Sequence, residues 1–132
     1  MGKDLYYLAA SAILTFVMLL VASLTRARAW TPAGMAVAFG NRDNLPPATP
    51  LSGRADRAAK NMLEGLLLFA TVMLAAQIAG VVGPRVATGA QLFFWARLVY
   101  FPVYLAGIAY LRTAVWAVSI VGLVMIISAL MV

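Results

Sequence analysis

The sequence predicts an all-α integral membrane protein, and its composition and hydropathy pattern carry that prediction. Of the 132 residues, 64% are hydrophobic and only 11% are charged, whereas an ordinary soluble domain has roughly 25% charged residues. Four stretches are apolar over the length of about 20 residues that a helix needs to cross the hydrocarbon core of a bilayer. They fill nearly the whole chain, so we expect residues 1–132 to form one four-transmembrane-helix bundle. This composition excludes a soluble enzyme, a disordered regulator and a disulfide scaffold.

The four predicted spans follow one another with one long connection and two short ones. They cover residues 5–24, 62–82, 91–110 and 114–132, each limit being approximate. The first and fourth contain no charged residue, the second contains Glu64 and the third contains Arg97. An ionisable side chain inside a span is costly and normally faces the bundle interior, where it has a function. Glu64 and Arg97 are therefore candidate functional residues.

The first connection, about residues 25–56, is the longest and indicates the topology. Its run Gly40-Asn41-Arg42-Asp43-Asn44, followed by prolines, predicts turns rather than helix. Seven basic residues lie on this side of the membrane: Arg26, Arg28, Arg42, Arg54, Arg57, Lys60 and Arg112. The opposite side has only Lys3 and Arg85. Lys and Arg collect on the cytoplasmic side, so we expect this loop to be cytoplasmic and both termini to lie outside. A bacterial inner membrane suits such a chain, with an organelle membrane as the alternative.

Two polar stripes with helical spacing lie on the second and third spans. They consist of Arg57, Lys60, Asn61 and Glu64 on the second and of Arg97, Tyr100 and Tyr104 on the third. Residues spaced i, i+3, i+4 and i+7 share one face of a helix. The tight turn before Pro84 makes these two spans an antiparallel hairpin, so we expect both stripes to line one cleft, with Arg112 and Thr113 on the same side of the membrane.

The depth of each polar residue can be counted along the hairpin from Pro84. Glu64 and Tyr104 each lie 20 residues from it and should be level. Arg97 lies only 13 residues on, which places it about 10 Å deeper. We therefore expect Glu64 to lie opposite Tyr104, and Arg97 to find its acceptor elsewhere, with a neighbouring subunit as one possible source.

The residue types of this cleft suggest its ligand. Several cations suit carboxylates or phosphates, and a carboxylate beside an amide suits an α-amino group, so a small peptide fits best, with a lipophilic second substrate from the bilayer. The chain has no Cys and no His, which removes thiol nucleophiles, His bases and the usual metal ligand sets. Structural alternatives remain open: a positive flank, an interfacial belt containing Tyr110 and Trp116, and helix–helix contacts made by Glu64 and Arg97.

Two motifs resemble those of the MAPEG family, the membrane-associated proteins of eicosanoid and glutathione metabolism. The segment from Arg57 to Glu64 is similar to the family pattern R-A-x-x-N-x-x-E, and the segment from Ala96 to Tyr104 is similar to A-R-x-x-x-x-x-x-Y. The patterns occur in the family's order on the second and third spans. The resemblance covers essentially the whole chain and identifies it as a short, bacterial-type member.

This resemblance implies a homotrimer of four-helix bundles that binds glutathione, without a metal, between neighbouring subunits near the cytoplasmic face. It implies that the glutathione site comprises Arg57, Lys60, Asn61, Glu64, Arg97 and Tyr104, together with Tyr100 on the same stripe. Arg26 resembles the arginine that enters from a neighbouring subunit. Arg112 resembles the arginine that stabilises the glutathione thiolate, with a hydroxyl of Thr113 or Tyr104 as its partner.

The chain also departs from the family pattern. The spacing from Tyr104 to Arg112 lies between those of the family's branches, which bears on the assignment of Arg112. Ala59 and Tyr100 stand where some members have His, and Trp116 stands where a tyrosine is expected. These departures argue against assigning a particular eicosanoid activity.

The leading functional hypothesis is a glutathione-dependent membrane transferase or peroxidase acting on lipophilic electrophiles or lipid hydroperoxides. The alternative is a non-catalytic member of the family that binds lipid or acts as a scaffold. A subunit of a larger complex or a transporter is disfavoured because the chain lacks broken helices and an inverted repeat. Nucleic acid is not an expected partner, since the basic residues follow topology rather than a groove-reading motif.

Overall fold

The computed structural model describes residues 1–132 and contains five α-helices and no strand. The helices are α1 (Lys3–Ala27), α2 (Pro32–Phe39), α3 (Pro50–Ile78), α4 (Pro84–Leu105) and α5 (Ala109–Leu130). The all-helical architecture agrees with the prediction. Four of the helices overlap the predicted spans, with different limits, and α2 is an additional short helix within the first connection.

Three helices, α1, α3 and α5, are long and apolar enough to cross a membrane. The fourth long helix, α4, has 22 residues but is less apolar, because it contains Gln91, Arg97 and two tyrosines. Length and composition thus support three of the four predicted spans. The side chains that make α4 less apolar include those of the predicted cleft.

The first connection is shorter than its composition suggests, because α3 begins at Pro50. Thr49 Oγ1 accepts a hydrogen bond from the Ser52 amide at 3.0 Å, and Ser52 Oγ accepts one from the Thr49 amide at 2.9 Å. This reciprocal capping box, with Pro50 at the first helical position, starts a helix well before the apolar run begins. The first three turns of α3 are therefore polar and helical.

Two connections between helices are tight turns formed by glycines with positive φ. Gly80 (φ 72°) and Gly83 (φ 141°) lie between α3 and α4, and Gly107 (φ 77°) lies between α4 and α5. Residues other than glycine rarely adopt such φ angles, because their Cβ atoms clash with the backbone. Because Gly107 ends α4 before the predicted limit, Arg112 lies in the first turn of α5 rather than in a loop.

The helices pack around one apolar core. α1 packs against α3 and α4, and the most extensive helix packing in the molecule is between α4 and α5. At that crossing a Cβ added to Gly89 or Gly122 would lie 2.5 Å from the other's carbonyl oxygen. Phe69 of α3 and Phe93 of α4 contact each other in the core, with ring centroids 4.3 Å apart. Beyond Phe93, toward the first connection, polar side chains fill the space between α3, α4 and α5.

Candidate functional site

Two adjoining cavities lie between α3, α4 and α5, near the turn that joins α4 to α5. The inner cavity, of about 220 Å³, is lined by Asn61, Tyr100, Tyr104, Arg112, Thr113 and Trp116. The outer cavity, of about 260 Å³, is lined by Pro50, Arg54, Arg57, Tyr104, Gly107, Ala109 and Arg112. Tyr104 and Arg112 line both cavities, so we describe them together as the α3–α4–α5 cleft.

Arg112 lies against the aromatic face of Tyr104 on the common wall of the cleft. The guanidinium carbon is 4.4 Å from the centroid of the Tyr104 ring, which is a cation–π contact. The Tyr104 ring is in turn supported edge-on by Tyr100, at a centroid distance of 5.4 Å. Arg112 lies at the N-terminus of α5, where the helix dipole disfavours a cation. It has no ion-pair partner in the chain, so its charge is available to an anion in the cleft.

Two arginines of α3 reach across to the end of α4. Arg57 Nε donates a hydrogen bond to the Tyr104 hydroxyl at 3.3 Å. Arg54 Nε donates to the Leu105 carbonyl at 2.9 Å, which satisfies one of the unpaired carbonyls that a helix end leaves. Since the Tyr104 oxygen is the acceptor from Arg57, its own hydroxyl proton is free to be donated to a group in the cleft.

Arg97 lies behind the cleft rather than in its lining. Its side chain is only 1% exposed, and Nη1 donates to Asn61 Oδ1 at 2.6 Å. The guanidinium carbon lies 4.9 Å from the Tyr100 ring centroid and 5.6 Å from that of Phe93. Its Nε has no hydrogen-bond partner. Arg97 therefore positions two side chains that line the inner cavity, Asn61 and Tyr100.

The register of the hairpin differs from the expectation counted from Pro84. Counted from the helix ends Ile78 and Pro84, Arg57 and Tyr104 are level, at 21 and 20 residues. On the same count Arg97 is level with Gly65, each 13 residues from its helix end. The five residues of the connecting turn do not add depth to either helix. A count that includes them therefore shifts the expected level of each α3 residue, relative to α4, by more than one helical turn. Arg57 therefore lies opposite Tyr104 in place of Glu64, and Arg97 finds its acceptor, Asn61, within the same chain.

The structure places two residues of the α3 stripe outside the cleft. Lys60 is exposed and forms an ion pair with Asp56, its Nζ 3.0 Å from Asp56 Oδ2. Glu64 is exposed, lies beside the exposed Leu63 and Leu67, and has no ion-pair partner in the chain. Both side chains are on the outward face of α3.

Arg26 and Thr113 have local hydrogen-bond partners. Arg26 Nη1 donates to the Pro46 carbonyl of its own first connection, and Arg26 does not line the cleft of its own chain. Thr113 lines the inner cavity, with its hydroxyl donating to the Ala109 carbonyl one turn earlier at 3.2 Å. The Thr113 hydroxyl must break this hydrogen bond before it can donate one to a ligand.

Three residues of the site escaped the sequence analysis or were assigned differently. Arg54 was counted only as part of the positive flank, although it lies one turn before Arg57 and borders the outer cavity. Trp116 lines the inner cavity, whereas its position suggested an interfacial belt. The sequence pattern indicates no role for Gly65, yet a Cβ there would lie 2.6 Å from Arg97 Nη2. A glycine directly after a polar stripe in an apolar helix was the available signal.

The cleft combines three guanidinium groups with two phenols, a threonine hydroxyl and an amide. Such a set suits an anionic, polar ligand, and Arg112 with the Tyr104 hydroxyl suits a single anionic atom between them. The structure contains no cluster of three or more His, Cys, Asp or Glu side chains. The side chains that line the cleft can orient a ligand and stabilise negative charge on it.

Comparison with known proteins gives one match. The model of the MAPEG family matches residues 5–132, essentially the whole chain. Neither the curated proteins nor the solved structures contain a match to this chain.

Proposed function

The chain belongs to the MAPEG family, and from this membership and the cleft we propose a glutathione-dependent membrane transferase or peroxidase. Its substrates would be lipophilic electrophiles or lipid hydroperoxides that reach the cleft from the bilayer. The observation that carries the proposal is the position of Arg112, which lies against Tyr104 on the cleft wall and has no anionic partner in the chain.

The proposed chemistry depends on activation of the glutathione thiol. A free thiol has a pKa of about 8.5 and reacts as its thiolate. Arg112 would stabilise the thiolate by its charge, and the Tyr104 hydroxyl would donate a hydrogen bond to the sulfur. Both effects lower the thiol pKa and raise the reactive fraction at neutral pH. The nucleophile belongs to the co-substrate, so the absence of Cys from the chain is compatible with catalysis.

The remaining polar groups would hold the glutathione peptide. Arg54 and Arg57 border the outer cavity and are suited to its carboxylates. Asn61 would bond to its polar backbone from the inner cavity, with Arg97 holding the amide in place. Lys60 and Glu64 point away from the cleft of their own chain, so they contribute to this proposal only through a neighbouring subunit.

We further propose that the protein is a homotrimer whose subunit interface includes the outward face of α3. Glu64 is exposed beside Leu63 and Leu67, which are 49% and 68% exposed. An unpaired carboxylate on a lipid-facing surface is costly, and a neighbouring subunit would remove that cost.

In this assembly α4 would be the fourth membrane span, shielded by α5 and by the neighbours. Arg26 would reach the cleft of the adjacent subunit, and the first connection would be cytoplasmic, in a bacterial inner membrane.

The proposal is tested by the ultraviolet difference spectrum of the glutathione thiolate, recorded with purified protein at neutral pH. We expect a thiolate band with the wild-type protein and none with Arg112→Ala. Tyr104→Phe keeps the ring against Arg112 but removes the hydroxyl, so we expect a weaker band and a higher thiol pKa. Arg85→Ala is the matched control, because Arg85 is exposed near the opposite ends of the helices. An undiminished band with Arg112→Ala would remove Arg112 from the mechanism.

A second candidate is a non-catalytic, lipid-binding member of the family. It is favoured by an apolar groove of about 330 Å³ between α1 and α4, lined entirely by hydrophobic side chains that include Ile13, Val17 and Phe94. A ligand that binds the folded state raises its thermal stability. No thiolate band and no stabilisation by glutathione, together with stabilisation by a fatty acid, would favour this candidate over the first.

A further inference from the structure

The short helix α2 exposes an apolar face that no part of the chain covers. None of its eight residues is polar. Gly34, Val37 and Ala38 form the inward face, and Gly34 lies directly against the Arg28 carbonyl. The outward face consists of Pro32, Met35, Ala36 and Phe39. Phe39 is 84% exposed, and the preceding Trp30 is 69% exposed.

Hydrogen bonds hold this connection against the end of α1. Arg42, which follows α2, donates from Nη1 to the Ser23 carbonyl at 3.2 Å. Arg26 donates to the Pro46 carbonyl. These bonds join both the segment after α2 and the segment before α3 to the last turns of α1. Consequently α2 stays at the level of the end of α1 instead of extending away from it.

The end of α1 coincides with the boundary of the membrane. The uncharged part of α1, residues 5–25, is about 31 Å long at 1.5 Å per residue, which matches a hydrocarbon core of about 30 Å. Ser23 and Thr25 therefore lie at one edge of the core. On this estimate of length, the segment that contains Trp30 and α2 would lie in the interfacial layer, where tryptophan is enriched in membrane proteins.

Basic residues flank α2 on the side of α1. Arg28 is exposed and lies directly between α1 and Trp30, along a groove of about 330 Å³ at the edge of α2. Arg26 and Arg42 are nearby, against a single acidic residue, Asp43. Exposed apolar side chains next to basic residues suit an anionic lipid surface, since the apolar groups enter the interface and the cations attract the headgroups.

We propose that α2 is an interfacial anchor that inserts Trp30, Met35 and Phe39 into the anionic phospholipid surface of the membrane that α1 spans. Arg28 pairs with lipid phosphates beside it. This anchor is independent of glutathione chemistry. It fixes the first connection at the membrane surface and thereby the start of α3, whose Arg54 and Arg57 border the cleft.

The proposal is tested by nitroxide labelling in lipid nanodiscs, since the chain has no native Cys and each variant carries a single label. Ala36→Cys places the label on the outward face of α2. Ala48→Cys is the matched control, because α3 has 29 residues, about 43 Å, and its first turns project beyond the core. We expect a several-fold higher ratio of oxygen to nickel-complex collisions at position 36 than at position 48.

Lipid composition tests the charge component. Replacing phosphatidylcholine by a mixture with phosphatidylglycerol should raise the collision ratio at position 36, and Arg28→Gln should remove that increase. Equal ratios at positions 36 and 48 would overturn the proposal, since α2 would then lie in water. Low collision rates with both reagents at position 36 would also overturn it, because a second copy of the chain would then cover this face. Size-exclusion profiles of the labelled variants verify that each is folded.

Discussion

Arg97 is a fully buried cation without an acidic partner in the chain. Its charge is balanced only by the Asn61 amide oxygen and by the faces of Tyr100 and Phe93. A hydrogen bond to a charged group contributes about 1.5–3 kcal/mol, and a buried donor left without its acceptor is destabilising. The amide therefore has two functions in this structure: it lines the inner cavity and it stabilises a buried cation on α4.

This arrangement predicts that two substitutions at Asn61 differ in their effect on stability. Asn61→Leu, of similar size, should lower the free energy of unfolding by about 1.5–3 kcal/mol, because Arg97 Nη1 loses its hydrogen-bond acceptor. Asn61→Asp keeps the acceptor and adds a counter-charge, so its thermal midpoint in detergent should stay near the wild-type value. Asn41→Leu, at an exposed position of the first connection, is the control. Wild-type stability of Asn61→Leu would show that Arg97 does not depend on this amide.

At this scale the sequence predicted the residue types of the site better than their partners. Helical spacing brought Asn61, Tyr100 and Tyr104 to one cleft, because spacing within a helix depends only on local geometry. The pairing of Arg57 with Tyr104 depends on where α3 ends and on how the Gly80–Gly83 turn is folded. Those features set the register between helices and cannot be counted from residue numbers alone.

Helix limits show the same division between local and non-local information. The residues Thr49, Pro50 and Ser52 indicate the start of α3, because capping depends only on neighbouring residues. The hydropathy pattern does not indicate this start, because the first turns of α3 are polar and lie outside the predicted apolar run. The helix α2 was hidden for a related reason: eight residues are too few for a clear periodic signal.

The crossing of α4 and α5 predicts that replacing Gly122 with any larger residue lowers the stability of the protein. A Cβ at Gly122 would lie 2.5 Å from the Gly89 carbonyl oxygen and 2.9 Å from the Phe93 amide nitrogen. These are backbone atoms, so the two helices must move apart. We expect Gly122→Ala to lower the free energy of unfolding by about 1–3 kcal/mol, despite the better helix propensity of alanine, which is worth about 1 kcal/mol.

Gly53→Ala in α3 is the matched control for this prediction. The added Cβ there would approach only the end of the Arg57 side chain, at 3.2 Å, and that side chain is exposed and able to move. Its thermal midpoint should equal or exceed that of the wild type. If Gly122→Ala proved as stable as Gly53→Ala, α4 and α5 would not depend on this close contact.

At the scale of the whole molecule, one chain supplies only part of the proposed site. Its cleft contains Arg57, Asn61, Tyr104 and Arg112, whereas Arg26 does not line it. The Glu64 carboxylate is exposed on the outer surface. An assembly in which each cleft receives Arg26 from the adjacent subunit would account for both positions. This arrangement is a property of the oligomer, so a single chain cannot display it.

The proposed assembly predicts complementation between two inactive variants. Arg26→Ala and Arg112→Ala should each abolish the thiolate band when prepared alone. If the two chains are expressed together and mix at random in a cyclic trimer, about a quarter of the clefts combine an intact Arg112 from one subunit with an intact Arg26 from the next. The mixed protein should therefore recover about a quarter of the wild-type band. A mixture that stays without a band would show that Arg26 serves its own chain, and a native mass of one subunit would exclude the trimer directly.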